Sequence, residues 1–372
     1  MVAAAEQSMM VVIDARESGT STGRYIDKLI ENLHKLQPEL EILLLSKPAR
    51  MDYLQHLAPK FKVIKSDYRE FGFGEQIGLL RQIRKLKPDL VHFGMTQQPI
   101  LYKKPKITTI HDLTTIRFSN PVKNQLLFKF KQRVYKVVIK SVARKSRYII
   151  TPSQYVKQDV AQYAKISPDK ILVTYEAADR INAAPKPIQR LDGRQFIMYV
   201  GRALPHKNLE RLVRAFELLK QKKYPDLMLV LAGQNDANYK RLGALVTERR
   251  LAASVIFTDF VSEGELRWLY ENTAAYVFPS LSEGFGLPGL EAMIHGAPVV
   301  SSKATCLPEV YGDAVHYFDP RSVSDMASKI NDVLSKPSLR TSLVHKGRAR
   351  AAKFSWRRLA QQTLKIYEEA LK

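Results

Sequence analysis

Cysteine is nearly absent from this sequence of 372 residues, because Cys306 is the only one. No disulfide can therefore form within the chain, which is typical of a protein in a reducing compartment. Long apolar stretches are also missing, since the longest apolar run, 227–232, has six residues. A transmembrane helix needs about 18 or more. The sequence therefore predicts no segment that spans a membrane.

The N-terminal residues lack the marks of a secretory signal. Residues 1–10 have no basic start and no long apolar core. We interpret them as a leader ahead of the first strand, and we expect a cytoplasmic protein.

Acidic residues are scarce beside basic ones: 36 Asp and Glu stand against 59 Lys and Arg, a formal net charge of +23. The imbalance is greatest in 101–150, where Asp112 is the single acid among 13 basic residues. Such charge favours anionic partners, whether nucleic acid, anionic lipid or phosphorylated substrates. The share of hydrophobic residues, 45%, excludes disorder as the main state.

Short apolar runs of strand type alternate with segments of helical periodicity along the chain, which predicts parallel α/β sheets. The length predicts about two domains. Residues 180–194 hold two prolines and a glycine and show little periodicity, so they form the best linker. We predict an N-terminal domain over 1–180, a linker over 181–194 and a C-terminal domain over 195–355. The last helix, 356–372, is expected to pack back on the first domain.

The segment GRALPHKN, 201–208, directly follows a predicted strand. Arg202 and Lys207 leave the carboxyl end of that strand, and a helix begins near residue 208. Two cations beside a helix N-terminus suit a diphosphate. A solvated loop with incidental charge is the alternative interpretation.

A second motif, 279–300, places Glu283 and Glu291 eight residues apart in a glycine-rich setting. Pro288 is well placed as the first residue of a helix, and two carboxylates at one cleft can each bind a pair of hydroxyls. The alternative is one capping carboxylate and one solvated carboxylate. The amides that would face an anion are those of Phe285, Gly286 and Leu287.

Two further segments carry candidate residues. His111 follows a predicted strand directly and precedes Asp112, although a lone histidine there is more often structural. The loop 18–25 contains Gly19 and Gly23, whose backbone could approach a ligand closely. This loop is not the dinucleotide fingerprint G-x-G-x-x-G, so it gives little support to an oxidoreductase.

These segments together resemble the family-4 glycosyltransferases of the GT-B fold, most strongly over 201–300. The E-x7-E element at 283–291 is specific to that group, and GRALPHKN and the PSQYVKQDV stretch at 152–160 also match. The IDAR…TGRY and IHDL segments are most similar to the bacterial mannosyltransferase-like branch, which builds O-antigen and other polysaccharides. That branch usually has G-I-G-R-Y where this chain has Ser21-Thr22-Gly23-Arg24-Tyr25.

The resemblance implies a GT-B architecture, with two Rossmann-like α/β/α domains facing each other across a cleft. It also implies a retaining transfer of a hexose, with mannose favoured, from a nucleotide diphosphate sugar. No cofactor or metal is expected, because Arg202 and Lys207 would neutralise the departing diphosphate and no Asp-x-Asp motif occurs in the sequence.

The resemblance also implies which residue contacts each part of the donor. It implies that Glu291 holds the ribose, that Glu283 holds the donor sugar, and that His111 contacts that sugar from the opposite domain. It assigns no protein nucleophile. It places the nucleobase of the donor near the loops after 231–233 and 259–261. The full set of residues implied to bind the donor is Gly19, Gly23, Gly201, Val261, Phe285, Gly286, Leu287 and Glu291.

The implied partners are a GDP-sugar or UDP-sugar donor and a glycan or polyprenyl- or lipid-linked acceptor. The segment 122–147 has nine basic residues, no acid and an apolar stripe at helical spacing, so it also predicts contact with the inner face of an anionic membrane. Burial of that stripe in its own domain is the alternative.

Two other functions stay open at this stage. A nucleic-acid-binding protein would explain the charge, but no recognised nucleic-acid motif occurs. A phosphorylase of the same fold, with pyridoxal phosphate on a lysine, would have a far longer chain.

Overall fold

The computed structural model describes residues 9–20, 23–70 and 72–372, and its contacts divide the chain into two compact units. The first unit combines the residues up to Leu113 with Gln132–Glu176 and Ser355–Lys372. The second combines Thr114–Lys131 with Ala177–Phe354. Residues 1–8 of the predicted leader, and two members of the glycine loop, Ser21 and Thr22, lie outside the described residues.

The units differ from the predicted domain boundaries mainly in the segment 114–131, which belongs to the second unit although it lies within 1–180. Hydrogen bonding and ring packing account for this. The Thr114 hydroxyl lies 3.0 Å from that of Ser282, and the ring of Phe118 lies 5.7 Å from that of His206. The Glu176–Ala177 boundary also precedes the predicted linker by four residues.

The first unit is built on a seven-stranded sheet in which every pairing is parallel. Its strand order is β3-β2-β1-β4-β5-β6-β7. Strands β1, β2 and β4 are mostly apolar, as expected for strands covered on both faces. The strands are β1 Met10–Asp14, β2 Glu41–Ser46, β3 Lys62–Lys65, β4 Leu90–Phe93, β5 Lys106–Thr109, β6 Tyr148–Thr151 and β7 Ile171–Val173.

The helices that precede the second sheet are α1 Gly23–Leu36, α2 Met51–Leu57, α3 Leu80–Leu86, α4 Thr114–Arg117, α5 Gln125–Lys145 and α6 Gln154–Ala164. A π-helical turn, Glu75–Leu79, leads directly into α3.

The second unit contains a six-stranded parallel sheet with the order β10-β9-β8-β11-β12-β13. The chain reverses its direction of sheet growth between β8 and β11, and ligands of open α/β sheets bind outside the carboxyl ends of strands at such a switch point. The strands are β8 Phe196–Val200, β9 Met228–Ala232, β10 Val255–Asp259, β11 Ala275–Phe278, β12 Val299–Ser302 and β13 His316–Phe318. The α/β fold predicted from the sequence is confirmed.

Local capping explains where several helices of the second part of the chain begin. Ser262 and Glu265 form a reciprocal capping box at the start of α9. At the start of α12, the Ser322 side chain accepts a hydrogen bond from the backbone amide of Asp325. These helices are α7 Leu209–Lys222, α8 Ala237–Glu248, α9 Glu263–Asn272, α10 Leu287–Ile294, α11 Leu307–Tyr311, α12 Val323–Ser335, α13 Pro337–Ala351 and α14 Trp356–Leu371.

The C-terminal helix α14 belongs to the first unit, where it contacts α1. Its Trp356 and Leu359 are buried, and the Tyr367 hydroxyl lies 2.6 Å from His92 Nδ1 on β4. The sequence predicted this return of the chain to the first domain.

Helix α5 departs from the usual pattern of a surface helix. Its buried side chains are confined to the C-terminal part, at Ile139, Val142 and Ala143. The alternative interpretation, in which the whole apolar stripe is buried in its own domain, is therefore wrong for most of the helix. The large apolar residues exposed along α5 are Leu126, Leu127, Phe130, Val134 and Val137.

Candidate functional site

The carboxyl ends of β8 and β11 meet at the switch point of the second sheet, and the two predicted motifs follow these strands. The Lys207 ammonium lies 2.6 Å from Glu283 Oε1. Both side chains are less than one fifth exposed, at 18% and 12%. The Glu283 amide also donates to the Thr305 hydroxyl, which fixes the loop. The structure thus joins one residue of each motif in a sheltered ion pair.

Asn208 ties the loops of this edge together. Its backbone is left-handed, with a φ of 61°, and its side-chain amide donates to the carbonyls of Pro279 and Pro320. The Leu281 amide also donates to the His206 carbonyl. The final Asn of GRALPHKN is therefore a structural residue that positions Lys207.

Arg202 is not part of the Lys207–Glu283 pair. Its guanidinium lies 3.6 Å from the Asp236 carboxylate, and its side chain is 61% exposed. Burial would raise the pKa of Asp236, but the amides of Tyr239 and Asn238 at the start of α8 lower it. Arg202 therefore stays at the edge of the sheet with one weak partner and considerable exposure.

Gly201 lies between β8 and Arg202 and has a φ of 138°. Its carbonyl accepts a hydrogen bond of 2.7 Å from the Tyr239 hydroxyl. A Cβ at this position would approach the Tyr199 hydroxyl to 2.8 Å. The strained backbone and the tyrosine therefore both require glycine here.

The glycine loop before α10 packs against Tyr311. Gly286 caps the helix with a φ of 97°, and its carbonyl accepts a 2.6 Å hydrogen bond from the Tyr311 hydroxyl. Phe285 is buried against Phe354, and Leu287 begins the helix. The helix begins at Leu287, one residue before the predicted start at Pro288, which lies in the first turn.

Glu291 lies one turn inside α10. Its Oε2 accepts a hydrogen bond of 3.2 Å from the Tyr270 hydroxyl of α9. The ring of Tyr270 stacks on His295, with centroids 5.5 Å apart. Glu291 is therefore oriented by an aromatic side chain to which the sequence pattern gave no role.

The loops after β9 and β10 are joined to each other. Gly233 and Asp259 form an isolated bridge, and the Asn235 amide donates to the Asp259 carboxylate. Val261 follows in this loop and is partly buried, whereas Phe260 beside it is 87% exposed.

The first unit has its own pair at the carboxyl edge of its sheet. His111 Nδ1 lies 3.2 Å from Glu176 Oε1, and His111 Nε2 lies 3.1 Å from the Gly94 carbonyl. Burial would lower the pKa of His111, but the hydrogen bond and charge of Glu176 outweigh it, so the pKa is raised. Sequence reasoning missed Glu176, although an acid three residues beyond β7 was a usable signal.

Both predicted loop glycines of the first unit contact the chain's own atoms. The Gly19 amide donates to Asp27, and the Gly23 amide donates to the Thr20 hydroxyl. A Cβ on Gly23 would overlap the Glu17 carbonyl oxygen. The close approach of the loop backbone therefore explains why residue 23 is a glycine. Contact of these glycines with a donor stays a prediction.

Two family models match consecutive parts of the chain. The model described as Glycosyltransferase Family 4 matches residues 22–180, and the model described as Glycosyl transferases group 1 matches residues 181–350. Together they leave only the two ends of the chain unmatched. The chain belongs to the family-4 type of glycosyltransferases.

Curated relatives of this glycosyltransferase agree with the family models. The O-antigen chain mannosyltransferase B of Escherichia coli is 27% identical over 94% of this chain and 96% of its own length. The serotype-specific mannosyltransferase WbdA of Escherichia coli is 33% identical over 60% of this chain, but the match spans 29% of that longer protein. The chain is thus an enzyme of the glycosyltransferase class, as the sequence predicted.

Solved structures confirm the GT-B fold. A sucrose-phosphate synthase from Thermosynechococcus elongatus superposes with a TM-score of 0.78 at 18% identity, covering 98% of this chain and 99% of its own. The HepE protein of Anabaena, in complex with UDP and glucose, has a TM-score of 0.75 at 18% identity, covering 97% and 100%.

A buried charge cluster lies beside β1 in this glycosyltransferase. The Arg16 guanidinium binds both oxygens of Asp14, at 2.8 and 2.7 Å, and reaches Glu75 Oε1 at 3.1 Å. It also donates to the carbonyls of Tyr68 and Gln97. The cluster ties the end of β1 to the segments that carry Tyr68, Glu75 and Gln97, and sequence reasoning did not find it.

None of the helices in the described residues is both long enough and apolar enough to span a membrane.

Proposed function

We propose that this glycosyltransferase moves a hexose, with mannose favoured, from a nucleoside diphosphate sugar to a glycan or a lipid-linked acceptor. The proposed reaction retains the anomeric configuration and uses no divalent metal. The observation that carries the proposal is the Lys207–Glu283 pair at the switch point of the second sheet. The relatives, which are O-antigen and serotype-specific mannosyltransferases, support the choice of sugar and of polysaccharide synthesis.

Lys207 and Arg202 are the proposed clamp for the diphosphate. Both follow β8, where the carboxyl end of the strand faces a ligand. Charge develops on the leaving diphosphate as the bond to the sugar breaks, and fixed cations stabilise it most in the transition state. The N-terminus of α10 adds a partial positive charge near Leu287.

The two glutamates divide the donor between them in this proposal. Glu291, oriented by Tyr270, takes the ribose hydroxyls. Glu283 takes hydroxyls of the sugar while it holds Lys207 in place. No side chain acts as a nucleophile, because the leaving phosphate takes the acceptor proton on the same face of the sugar.

A donor screen tests this function. The purified chain is incubated with GDP-mannose, UDP-glucose or UDP-GlcNAc, and release of the nucleoside diphosphate is measured with and without a polyprenyl-linked glycan. We expect GDP-mannose to give the fastest release, and NMR of the product to show a retained anomer. If a UDP-sugar is the best donor, the result favours a transferase that uses UDP-sugars. If no donor releases its nucleoside diphosphate, the result contradicts the proposal.

Thermal shift separates this function from nucleic-acid binding, the other explanation for the basic charge. A ligand that binds the folded state raises the melting temperature. We expect nucleoside diphosphates to stabilise the chain and oligonucleotides of equal phosphate concentration to leave it unchanged.

We further propose that α5 binds the anionic cytoplasmic leaflet, where a lipid-linked acceptor would lie. Leu126, Phe130, Val134 and Val137 follow helical spacing and are between 48% and 84% exposed. Exposed apolar side chains among basic residues suit a helix that lies in the interface of an anionic bilayer. The basic residues of α5 are Lys129, Lys131, Arg133, Lys136, Lys140, Arg144 and Lys145.

Sedimentation with vesicles tests this surface. We expect binding to vesicles with anionic lipid, little binding to neutral vesicles and a steep loss with salt, since each basic residue adds about 1 kcal/mol near the surface. Reversal of Lys129, Lys136 and Lys140 to Glu should remove binding and leave donor hydrolysis intact. The control reverses two basic residues elsewhere, Arg214 and Lys222 on α7, which are exposed on the second unit.

A second variant distinguishes insertion of apolar side chains into the bilayer from electrostatic attraction to its surface. Changing Leu126, Phe130 and Val137 to Ser keeps the charge and should still weaken binding. Equal binding of this variant and the wild type would show that charge alone acts, and no binding of the wild type at low salt would contradict the membrane proposal.

A further inference from the structure

Tyr270 of α9 is fully buried, and its ring packs against two other aromatic rings. It stacks on His295, with centroids 5.5 Å apart and planes 14° from parallel, and it meets Tyr276 of β11 at 5.7 Å. Its hydroxyl donates to Glu291 Oε2 at 3.2 Å. Because a ring in a close-packed interior cannot turn freely, this hydroxyl holds one oxygen of the Glu291 carboxylate in a defined direction.

The ring of His295 is itself held at both of its nitrogens. Nε2 accepts a hydrogen bond of 3.1 Å from the backbone amide of Ile181, and Nδ1 lies 2.8 Å from the backbone carbonyl of Glu291. An amide N–H can only donate and a carbonyl can only accept, so the proton belongs on Nδ1 and not on Nε2. A single tautomer of the neutral imidazole therefore satisfies both contacts.

All of these contacts lie within the second unit, which includes Ile181, the first residue of the predicted linker. They form a continuous series from the Ile181 amide through His295 and Tyr270. The series reaches Glu291 at two points, because His295 bonds its backbone carbonyl and Tyr270 bonds its carboxylate. Both the backbone and the side chain of Glu291 are therefore held from the interior of the unit.

A carboxylate that is held in this way suits a ligand with two neighbouring hydroxyls, such as a ribose. A mobile glutamate loses rotamer freedom when it binds, whereas an oriented one loses less and binds more tightly. A site that is built to bond a particular hydroxyl also discriminates strongly against an analogue that lacks it. The orientation of Glu291 should therefore decide how well the site distinguishes a ribose from a 2′-deoxyribose.

We propose that Tyr270 and His295 are positioning residues that orient Glu291 toward both ribose hydroxyls and give the site a preference for ribonucleotides over 2′-deoxyribonucleotides. The inference rests on the proposed function, in which Glu291 takes the ribose. It goes further, because it assigns the preference to residues of the protein interior. Tyr270 acts on the Glu291 carboxylate directly, and His295 acts through Tyr270.

Calorimetry with a ribonucleotide and its 2′-deoxy counterpart tests this preference. GDP is compared with 2′-deoxy-GDP, and UDP with 2′-deoxy-UDP. For the base that binds more tightly, we expect the wild type to prefer the ribonucleotide by about tenfold or more, the scale of a lost hydrogen bond to a charged group. Tyr270→Phe keeps the ring and removes the hydroxyl, so it should lower this ratio to about threefold or less.

The matched control is Tyr224→Phe. The Tyr224 hydroxyl also donates to a side-chain oxygen of the second unit, Asn331 Oδ1, at the same distance of 3.2 Å. This variant should leave the ratio unchanged. If Tyr270 had only a structural role, Tyr270→Phe would weaken the binding of both nucleotides equally, and that result would overturn the proposal.

A double-mutant cycle tests the part assigned to His295. His295→Phe keeps a ring that can stack on Tyr270 and removes both hydrogen bonds of the imidazole. We expect it to lower the ratio in the wild-type background and to have no further effect on the ratio in Tyr270→Phe, because the two residues act on Glu291 by one route. Equal effects in the two backgrounds would refute that route.

Nitrogen NMR of the imidazole rings in the free protein tests the tautomer without any nucleotide. We expect His295 to carry its proton on Nδ1 at pH 8. A proton on Nε2 would contradict the contact with Ile181 and overturn the role of His295.

The outcomes separate this inference from the proposed function. Nucleotide binding with a ratio that neither Tyr270→Phe nor His295→Phe changes would refute the inference alone. Binding of neither GDP nor UDP to the wild type would refute the proposed function, and the role of Glu291 in holding a ribose with it.

Discussion

Each unit pairs a basic side chain with a carboxylate beyond the carboxyl ends of its strands, and the two pairs are similarly buried. In the second unit the basic residue is Lys207, with Glu283 as partner; in the first it is His111, with Glu176. Lysine side chains keep their charge across the physiological range, whereas histidine is the side chain that titrates within it. The same arrangement therefore gives a permanent charge in one unit and a pH-dependent charge in the other.

Removal of the permanent charge should have the largest effect. We expect Lys207→Ala or Arg202→Ala to lower kcat about 100-fold or more, the scale for one lost electrostatic donor in a transition state. The measurement is steady-state release of nucleoside diphosphate. Arg241→Ala is the matched control, because Arg241 pairs with Glu210 on an exposed surface. Wild-type turnover in both site variants would remove the clamp from the mechanism.

Replacing one glycine of each unit by alanine extends the comparison to the free energy of unfolding. Gly23→Ala should destabilise the chain by about 1–3 kcal/mol, because the new Cβ overlaps the Glu17 carbonyl. Gly243→Ala on α8 meets nothing within 4 Å and should stabilise it by up to about 1 kcal/mol. Urea unfolding of the two variants measures both changes. Equal stability of the two variants would contradict the described geometry of the Gly23 loop.

The two glutamates of the second unit should differ in nucleotide binding. We expect Glu291→Ala to weaken nucleoside diphosphate binding about tenfold, near 1.4 kcal/mol. Glu283→Ala should keep that affinity and impair transfer, because it contacts the sugar in our proposal. Calorimetry with the nucleotide alone decides between them. An equal loss in both variants would remove the distinction.

The titratable pair of the first unit should also affect stability in a pH-dependent way. The folded-state pKa of His111 is raised, so its contribution is present below the unfolded pKa of about 6.5 and is lost as pH rises through the folded value. Glu176→Gln should therefore lower the melting temperature more at pH 6 than at pH 9. A difference that does not depend on pH would assign Glu176 a packing role only.

Removal of divalent metal should have the smallest effect, since our proposal gives the charge of the diphosphate to Lys207 and Arg202. Activity after exhaustive chelation should equal that of untreated enzyme. A loss that Mg²⁺ or Mn²⁺ restores would show that the two cations do not suffice.

The fold was largely predictable because its elements have strong local causes. Short apolar runs alternating with helical periodicity predicted the parallel α/β sheets, and β8 and β9 are such apolar runs, whereas α9 and α12 begin at local caps. Strand β10 continues past its apolar residues to Asp259, where its register with β9 shifts.

The residues of the site were only partly predictable. The motifs led to Lys207 and Glu283, but contact between them depends on two strands that are neighbours only in the sheet. Glu176 lies 65 residues from His111, and Tyr270 lies 21 residues from Glu291. No local sequence pattern indicates a contact between residues that are so far apart along the chain. The exposure of α5 was equally hidden, because an apolar stripe looks the same whether protein or solvent covers it.

The single thiol of the chain lies directly behind the Glu283 loop. Cys306 is fully buried, its Sγ lies 3.3 Å from the Glu283 carbonyl, and burial raises the pKa of the thiol. A protonated, enclosed thiol reacts slowly with alkylating reagents. Its rate of modification therefore reports how often the loop that carries Glu283 opens, so this thiol is a built-in probe of motion at the edge of the second sheet.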